Sequence, residues 1–224
     1  MKIILTTTLY LLLMILFFPA TGQKKSSSTG YVITKTNDTL PCEFEAYNWK
    51  KQPHSIKVRI NGNDTIVYPG EVSSFKNSSE HEFVSHEIEL FRYNREVQNA
   101  VSGNIPFSET IPAAFLKVLY KGKINLYLYK DGLGVDHYFI EKISIIKEIY
   151  IHLYSSIGGF PSSVRNPHAR QPVVVNNLQY YFGLKEMMQD CMDIFPEVDK
   201  TELNTKSLIA LLKEYEKCPA ASGN

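Results

Sequence analysis

The sequence predicts an α+β protein: a mainly antiparallel β-sheet followed by a C-terminal helical hairpin. Three observations lead there. From Gly30 to Ile157, short runs of β-branched and aromatic residues alternate with turns containing Asn, Asp and Gly. From Asn177 to Cys218 the apolar positions switch to helical spacing. Between the two, residues 158 to 176 hold Gly158-Gly159, Pro161, Pro167 and Pro172 and read as a loop.

Taken in order, Tyr31 to Thr34 is extended, Asn37-Asp38 turns, and Thr39 to Tyr47 resumes the extended run. A look-alike unit follows: Ile56 to Ile60, the turn Asn61-Gly62-Asn63-Asp64, then Thr65 to Tyr68. Phe83 to Tyr93 alternates, with Val84, His86, Ile88 and Leu90 on one face and Ser85, Glu87 and Glu89 on the other. Asn94 to Thr110 is polar and irregular and reads as a loop. Ala114 to Tyr120, Ile124 to Lys130 and Val135 to Lys142 are strands joined at Lys121-Gly122-Lys123 and at Asp131 to Gly134, and Ile145 to Tyr154 is a fourth element. Ile124, Leu126 and Leu128 face one way while Tyr127 and Tyr129 face the other. Such a strand is covered on both faces, or belongs to a sheet with an aromatic outer face.

In the helical part, Leu178, Tyr181, Phe182, Lys185, Met188, Cys191, Met192 and Phe195 share one stripe, with Lys185 its one polar member, and Pro196 ends it. Leu208, Leu211, Leu212, Tyr215 and Cys218 form a second stripe from about Thr205, and Pro219 stops it. Two apolar stripes predict helices that pack on each other and on the sheet. Residues 219–224 are a tail.

The first 22 residues read as a secretory signal peptide. Lys2 is the positive start, Ile3 to Phe18 is apolar and uncharged, and Ala20-Thr21-Gly22 supplies small residues before a cut ahead of Gln23. The alternative is an uncleaved anchor, for which the apolar run falls short of the roughly 20 residues a span needs. Residues 23–29 are Lys- and Ser-rich and read as a flexible lead-in. No later segment is long and apolar enough to span a bilayer as a helix. The 24 basic and 23 acidic residues nearly cancel, which argues against nucleic acid as a partner.

An exported chain enters an oxidising compartment, so of the three cysteines two are expected to pair. Cys191 and Cys218 end up near each other in a hairpin and are the predicted disulfide, the alternative being two buried thiols. Cys42 has no acid–base partner close in sequence and reads as a structural thiol rather than a nucleophile. His81 and His86, five apart in an extended segment, point to opposite faces and make a poor metal pair. Phosphate-cradling, Gly-x-Ser-x-Gly, His-Glu-x-x-His and calcium-loop patterns are absent, so no cofactor, metal or catalytic residue is predicted. Asn37-Asp38-Thr39, Asn63-Asp64-Thr65 and Asn77-Ser78-Ser79 fit the N-glycosylation acceptor. Among 14 Tyr and 12 Phe, Tyr127, Tyr129 and Tyr138 form a candidate binding face for a glycan, a peptide or another envelope protein, unless the C-terminal helices cover it.

Gly30-Tyr31-Val32-Ile33-Thr34 with Asn37-Asp38-Thr39-Leu40 resembles the start of many uncharacterised exported proteins of Bacteroidota-type bacteria. Phe115 to Lys123 running into Leu126-Tyr127 is similar to them too, as are Leu184-Lys185, Asp190-Cys191, Ser207-Leu208 and Glu214-Tyr215 before Cys218. The resemblance implies an envelope or secreted protein, and O-glycosylation at Asp38-Thr39-Leu40 and Asp64-Thr65-Ile66. The expected function is that of a non-enzymatic envelope or secreted binding protein. The alternative is a secreted hydrolase whose site converges from residues distant in sequence.

Overall fold

The computed structural model describes residues 27–92, 107–149, 153–156, 173–176 and 179–219. The signal peptide, most of the lead-in, the Pro/Gly-containing stretch 158–172 and the tail after Pro219 lie outside the described residues.

The elements are β1 (Ser28–Thr34), β2 (Thr39–Phe44), β3 (Ile56–Ile60), β4 (Asn63–Val67), β5 (Val72–Asn77), β6 (Glu82–Arg92), β7 (Phe107–Tyr120), β8 (Asn125–Lys130), β9 (Asp136–Lys142), β10 (Ile145–Ile149), β11 (Leu153–Ser156), β12 (Val173–Asn176), α1 (Gln179–Met187), α2 (Phe195–Val198) and α3 (Thr205–Tyr215). A 3₁₀ turn, Met192–Ile194, precedes α2. The first ten strands form one antiparallel sheet in the order β10-β9-β8-β7-β6-β5-β1-β2-β3-β4.

Local chemistry explains the turns. Asn61 and Gly62 sit at φ 51° and 83°, the two left-handed positions of a type I′ turn, and this joins β3 to β4 with two residues. β1 runs so close between β2 and β5 that a Cβ on Gly30 would strike the Lys76 carbonyl oxygen, with the Phe44 ring 2.7 Å away. Only glycine fits there.

Three cores follow from the strand alternation. Val32, Cys42, Phe44, Val58, Phe75, Phe83 and Phe115 build the first, across β1–β7. Ile88, Leu90, Ala114, Leu116, Tyr127, Tyr129 and Phe139 build the second, on the other face of β6–β9. There the sheet curls until β10 lies back against β6, and the Phe91 N–H donates to Glu148 Oε2 of β10 at 2.7 Å. Leu126, Tyr138, Ile140 and Ile149 form the outer face of that curl and pack under Leu184, Met188, Leu208, Leu211, Leu212 and Tyr215 of the helices. β8 is thus covered on both faces.

Several expectations change. The first strand begins at Ser28, inside the expected lead-in, and the expected 94–110 loop gives up its end to β7. β5 is an additional strand. Leu153 and Tyr154 leave the expected fourth element and join β11, which pairs with β12 from the expected 158–176 loop, in a separate two-stranded sheet. The C-terminal region holds short helices rather than a plain two-helix hairpin: α1 stops at Met187, and Pro196 sits in the first turn of α2 instead of ending a helix. Proline suits that position because the first helical N–H groups need no intrahelical acceptor. α3 starts as expected at Thr205, capped by Asn204, whose Oδ1 accepts from the Ser207 N–H at 2.9 Å.

Cys191 and Cys218 form a disulfide across a sequence separation of 27. Beside it, Lys142 of β9 donates to the Met187 carbonyl, Asp190 Oδ1 and the Tyr215 hydroxyl, each at 2.7 Å. Tyr215 in turn donates to Asp190 at 2.6 Å. The bond ties the helical segments to one another, and the Lys142 cluster ties them to the sheet. Replacing Cys191 and Cys218 by Ser should lower unfolding stability by about 3–4 kcal/mol. Urea denaturation measures this, and a midpoint unchanged from the oxidised parent rules it out.

Candidate functional site: a groove at the open edge of the sheet

β4 ends the sheet, and β3 is its only ladder partner among the described residues. Alternation places Glu43 of β2, Arg59 of β3 and Asp64 of β4 in one cross-strand row. Arg59 donates to Asp64 through Nε at 2.7 Å and Nη2 at 3.1 Å, and Nη1 lies 4.0 Å from Glu43. The guanidinium hydrogen bond holds the Asp64 carboxyl below its ordinary value. One step along the strands, Lys57 lies 3.7 Å from Glu45. These charged side chains, with Ala46 and Ile66, line a hollow of ≈ 1060 Å³. A second hollow of ≈ 300 Å³, lined by Tyr47, Trp49, Ser55 and Ile56, shares Glu45, Ala46 and Lys57 with it. Ile66 is 45% exposed at the groove, and Tyr68 just beyond β4 is 52% exposed.

The wall of the smaller hollow is the segment between β2 and β3, and its shape is fixed by hydrogen bonds. Asn48 Oδ1 accepts from the Lys50 N–H at 3.1 Å, and the Asn48 carbonyl accepts from the Lys51 N–H at 2.8 Å. The Tyr47 hydroxyl donates to the Gln52 carbonyl at 3.0 Å. Gln52 anchors the segment to the far strands: Nε2 donates to the Phe115 carbonyl and Oε1 accepts from the Lys130 N–H at 3.2 Å. Trp49 rests on Phe44, Phe75 and Phe83, with centroids 5.8 to 5.9 Å apart, and meets Tyr47 at 5.0 Å.

Titratable groups gather elsewhere, on the inner face of the curl. His137 Nδ1 lies 2.7 Å from Glu148 Oε1. Its Nε2 is 3.5 Å from Asp131 Oδ2, an ion-pair distance without hydrogen-bond alignment. Asp131 Oδ1 accepts from the N–H groups of Leu133 and Val135, which shapes the β8–β9 turn. Burial disfavours the imidazolium, but the hydrogen bond and charge of Glu148, with the nearby charge of Asp131, outweigh it and raise the His137 pKa. Burial likewise opposes the charged form of Asp131, yet its two backbone hydrogen bonds and His137 bring its pKa below the ordinary value. Nearby, the Tyr127 hydroxyl donates to Glu141 Oε2, which also accepts from Asn125 Nδ2 at 3.1 Å, and His86 Nε2 lies 3.9 Å from Glu141 Oε1. Burial, then the Glu141 hydrogen bond, raises the Tyr127 pKa. Among the described residues no group of three or more His, Cys, Asp or Glu side chains is arranged to hold a metal ion.

The sequence-predicted residues are distributed as follows. The Cys191–Cys218 bond is present. Cys42 is a buried free thiol whose pKa burial pushes up to about 11, which keeps it protonated at neutral pH. Tyr127, Tyr129 and Tyr138 do not form a shared exposed face. The register sets Leu128 opposite Tyr138, so Tyr138 lies under the helices, while Tyr127 and Tyr129 point into the curl, and all three are buried. Of the three glycosylation triplets, Asn77 is buried and its Oδ1 accepts from the Ser79 and His81 N–H groups, whereas Asn37 and Asn63 are exposed. Sequence reasoning missed the groove. Its one available signal is Trp49, a large aromatic standing in a polar segment just past the run expected to end at Tyr47, which in the structure ends as a strand at Phe44.

The His137 cluster has a measurable pH signature. A raised folded-state pKa contributes stability in full below the unfolded value of about 6.5 and loses it as pH rises through the folded pKa. The lowered Asp131 pKa works oppositely: its contribution is present above the unfolded carboxylate value and is lost as pH falls through the folded one. The stability gap between the parent and His137→Gln should therefore be largest near about pH 5.5 and shrink towards about pH 9. Urea midpoints against pH measure it, and a gap constant over that range refutes the assignment.

No protein-family model, curated protein or solved structure matches this chain in the comparisons made.

Proposed function

We propose that the chain is an exported, non-enzymatic binding protein of the cell envelope or its surroundings, with its ligand in the groove at the β4 edge. The pair of adjoining hollows on one open edge carries this reading. The wall is held by hydrogen bonds to distant strands, so the groove exists before a ligand arrives. Export is supported by the N-terminal leader pattern and by the Cys191–Cys218 bond, which suits an oxidising compartment. The resemblance to exported Bacteroidota-type proteins belongs to the same proposal, as does the disulfide-joined pair α1 and α3 acting as a hairpin brace behind the sheet. The hydrolase alternative has one observation in its favour, the Tyr127–Glu141–His86 cluster. Its test is loss of ester or glycoside hydrolysis in Glu141→Gln.

Ile66→Arg, in the groove, should abolish retention of envelope components by the immobilised chain. Leu133→Arg, at a surface position 76% exposed on the β8–β9 turn, should not. Equal retention by both variants defeats the groove assignment. Intact mass of the exported chain tests the leader: a chain starting at Gln23 is expected, and one starting at Met1 overturns export. Mass added at the exposed residues Thr39 or Thr65 would mark O-glycosylation there, and a bare mature mass removes that part of the proposal.

A further inference from the structure

We infer that the Trp49 end of the groove is a carbohydrate subsite that takes one ring of a neutral glycan. The inference rests on the binding reading above and names its ligand class. A pyranose ring has an apolar C–H face and a rim of hydroxyls, so its receptor needs an aromatic wall beside donors and acceptors. The smaller hollow supplies both. Tyr47 and Trp49 meet with centroids 5.0 Å apart and planes at 56°, forming a bent aromatic wall. Glu45 as acceptor, Lys57 as donor and the Ser55 hydroxyl as either stand around the same hollow. Its ≈ 300 Å³ lies at the small end of the range for ligand pockets.

Charge narrows the class. Lys57 is paired with Glu45, and Arg59 with Asp64 and Glu43, so the groove presents alternating charges rather than a field of one sign. A polyanion or polycation gains little there, whereas a neutral polyol can hydrogen-bond to acids and bases alike. The adjoining larger hollow lets a chain of sugars continue from the aromatic end along the Glu43–Arg59–Asp64 row. Rigidity supports the same conclusion. Trp49 is wedged on three Phe rings, and the Tyr47 hydroxyl and Gln52 side chain are hydrogen-bonded, so binding orders no side chain of the wall.

Trp49 is the single tryptophan of the chain, so intrinsic emission reports on the subsite directly. The experiment titrates the disulfide-intact mature protein with maltohexaose, cellohexaose, xylohexaose, laminarihexaose, mannohexaose and chitohexaose. At least one should produce a saturable change in Trp49 emission. Tyr47→Ala, which leaves Trp49 on its Phe platform, and Lys57→Met should each weaken that binding about tenfold, with urea midpoints confirming the fold. Two variants that bind as the parent does would move the sugar elsewhere and overturn the subsite. Silence to all six sugars, with a mixed-sequence peptide pool protecting β2–β4 in hydrogen exchange, overturns the glycan and keeps the binding groove. Silence in both arms overturns both.

Discussion

The pairing of β6 with β7 holds the two halves of this protein together. These are the longest strands, and their residues serve two cores at once. Phe83 and Phe115 point into the first core, while Leu90 and Leu116, of opposite parity in the same strands, point into the second. Because the side-chain period is two, a slip of one residue between β6 and β7 would exchange both sets and empty both cores together. The register shift between His86 and Ile88 sets one β6 residue, Glu87, against two of β7, Pro112 and Ala113, a bulge that bends β7 and adds local twist without disturbing the alternation of β6.

The helices complete what that curl leaves open. Its outer face presents Leu126, Tyr138, Ile140 and Ile149, which water would otherwise cover. α1, α2 and α3 are each too short to be stable alone, so their order comes from this apolar contact and from the disulfide. Lys142 has all three ammonium protons committed to Met187, Asp190 and Tyr215, which fixes the crossing of helices and sheet in one geometry.

Much of this was legible in the sequence, where local chemistry and tertiary context agree. β6 alternates cleanly, β8 and β9 carry the near-continuous apolar runs of strands covered on both faces, Asn61-Gly62 dictates its own turn, and the two C-terminal cysteines lie on apolar stripes. Where context overrides pattern, the sequence misleads. β5 buries Val72 and Phe75 at a spacing of three, because its partner β1 shifts register between Ile33 and Thr34, so no period-two signal exists to be read. Pro196 reads as a stop, yet at the start of a helix it is a fitting residue. Spacing alone leaves the tyrosines either as one open face or as a face covered by the helices; the helices do cover Tyr138, and only the register between β8 and β9 reveals that Tyr127 and Tyr129 take the opposite side. The groove depends on Gln52 reaching Phe115 and Lys130, which are 63 and 78 residues away, and no local pattern encodes such contacts.

The arrangement of the sheet's two ends has a consequence for assembly. At one end β10 turns back onto β6, and at the other β4 keeps its outer backbone groups unpaired among the described residues. A flat sheet with two such margins can recruit copies of itself indefinitely, as fibrils do. In this protein the β4 margin carries Asp64, ion-paired with Arg59 of the neighbouring strand, so a strand arriving from another copy meets a charged edge rather than the apolar one that unchecked growth requires.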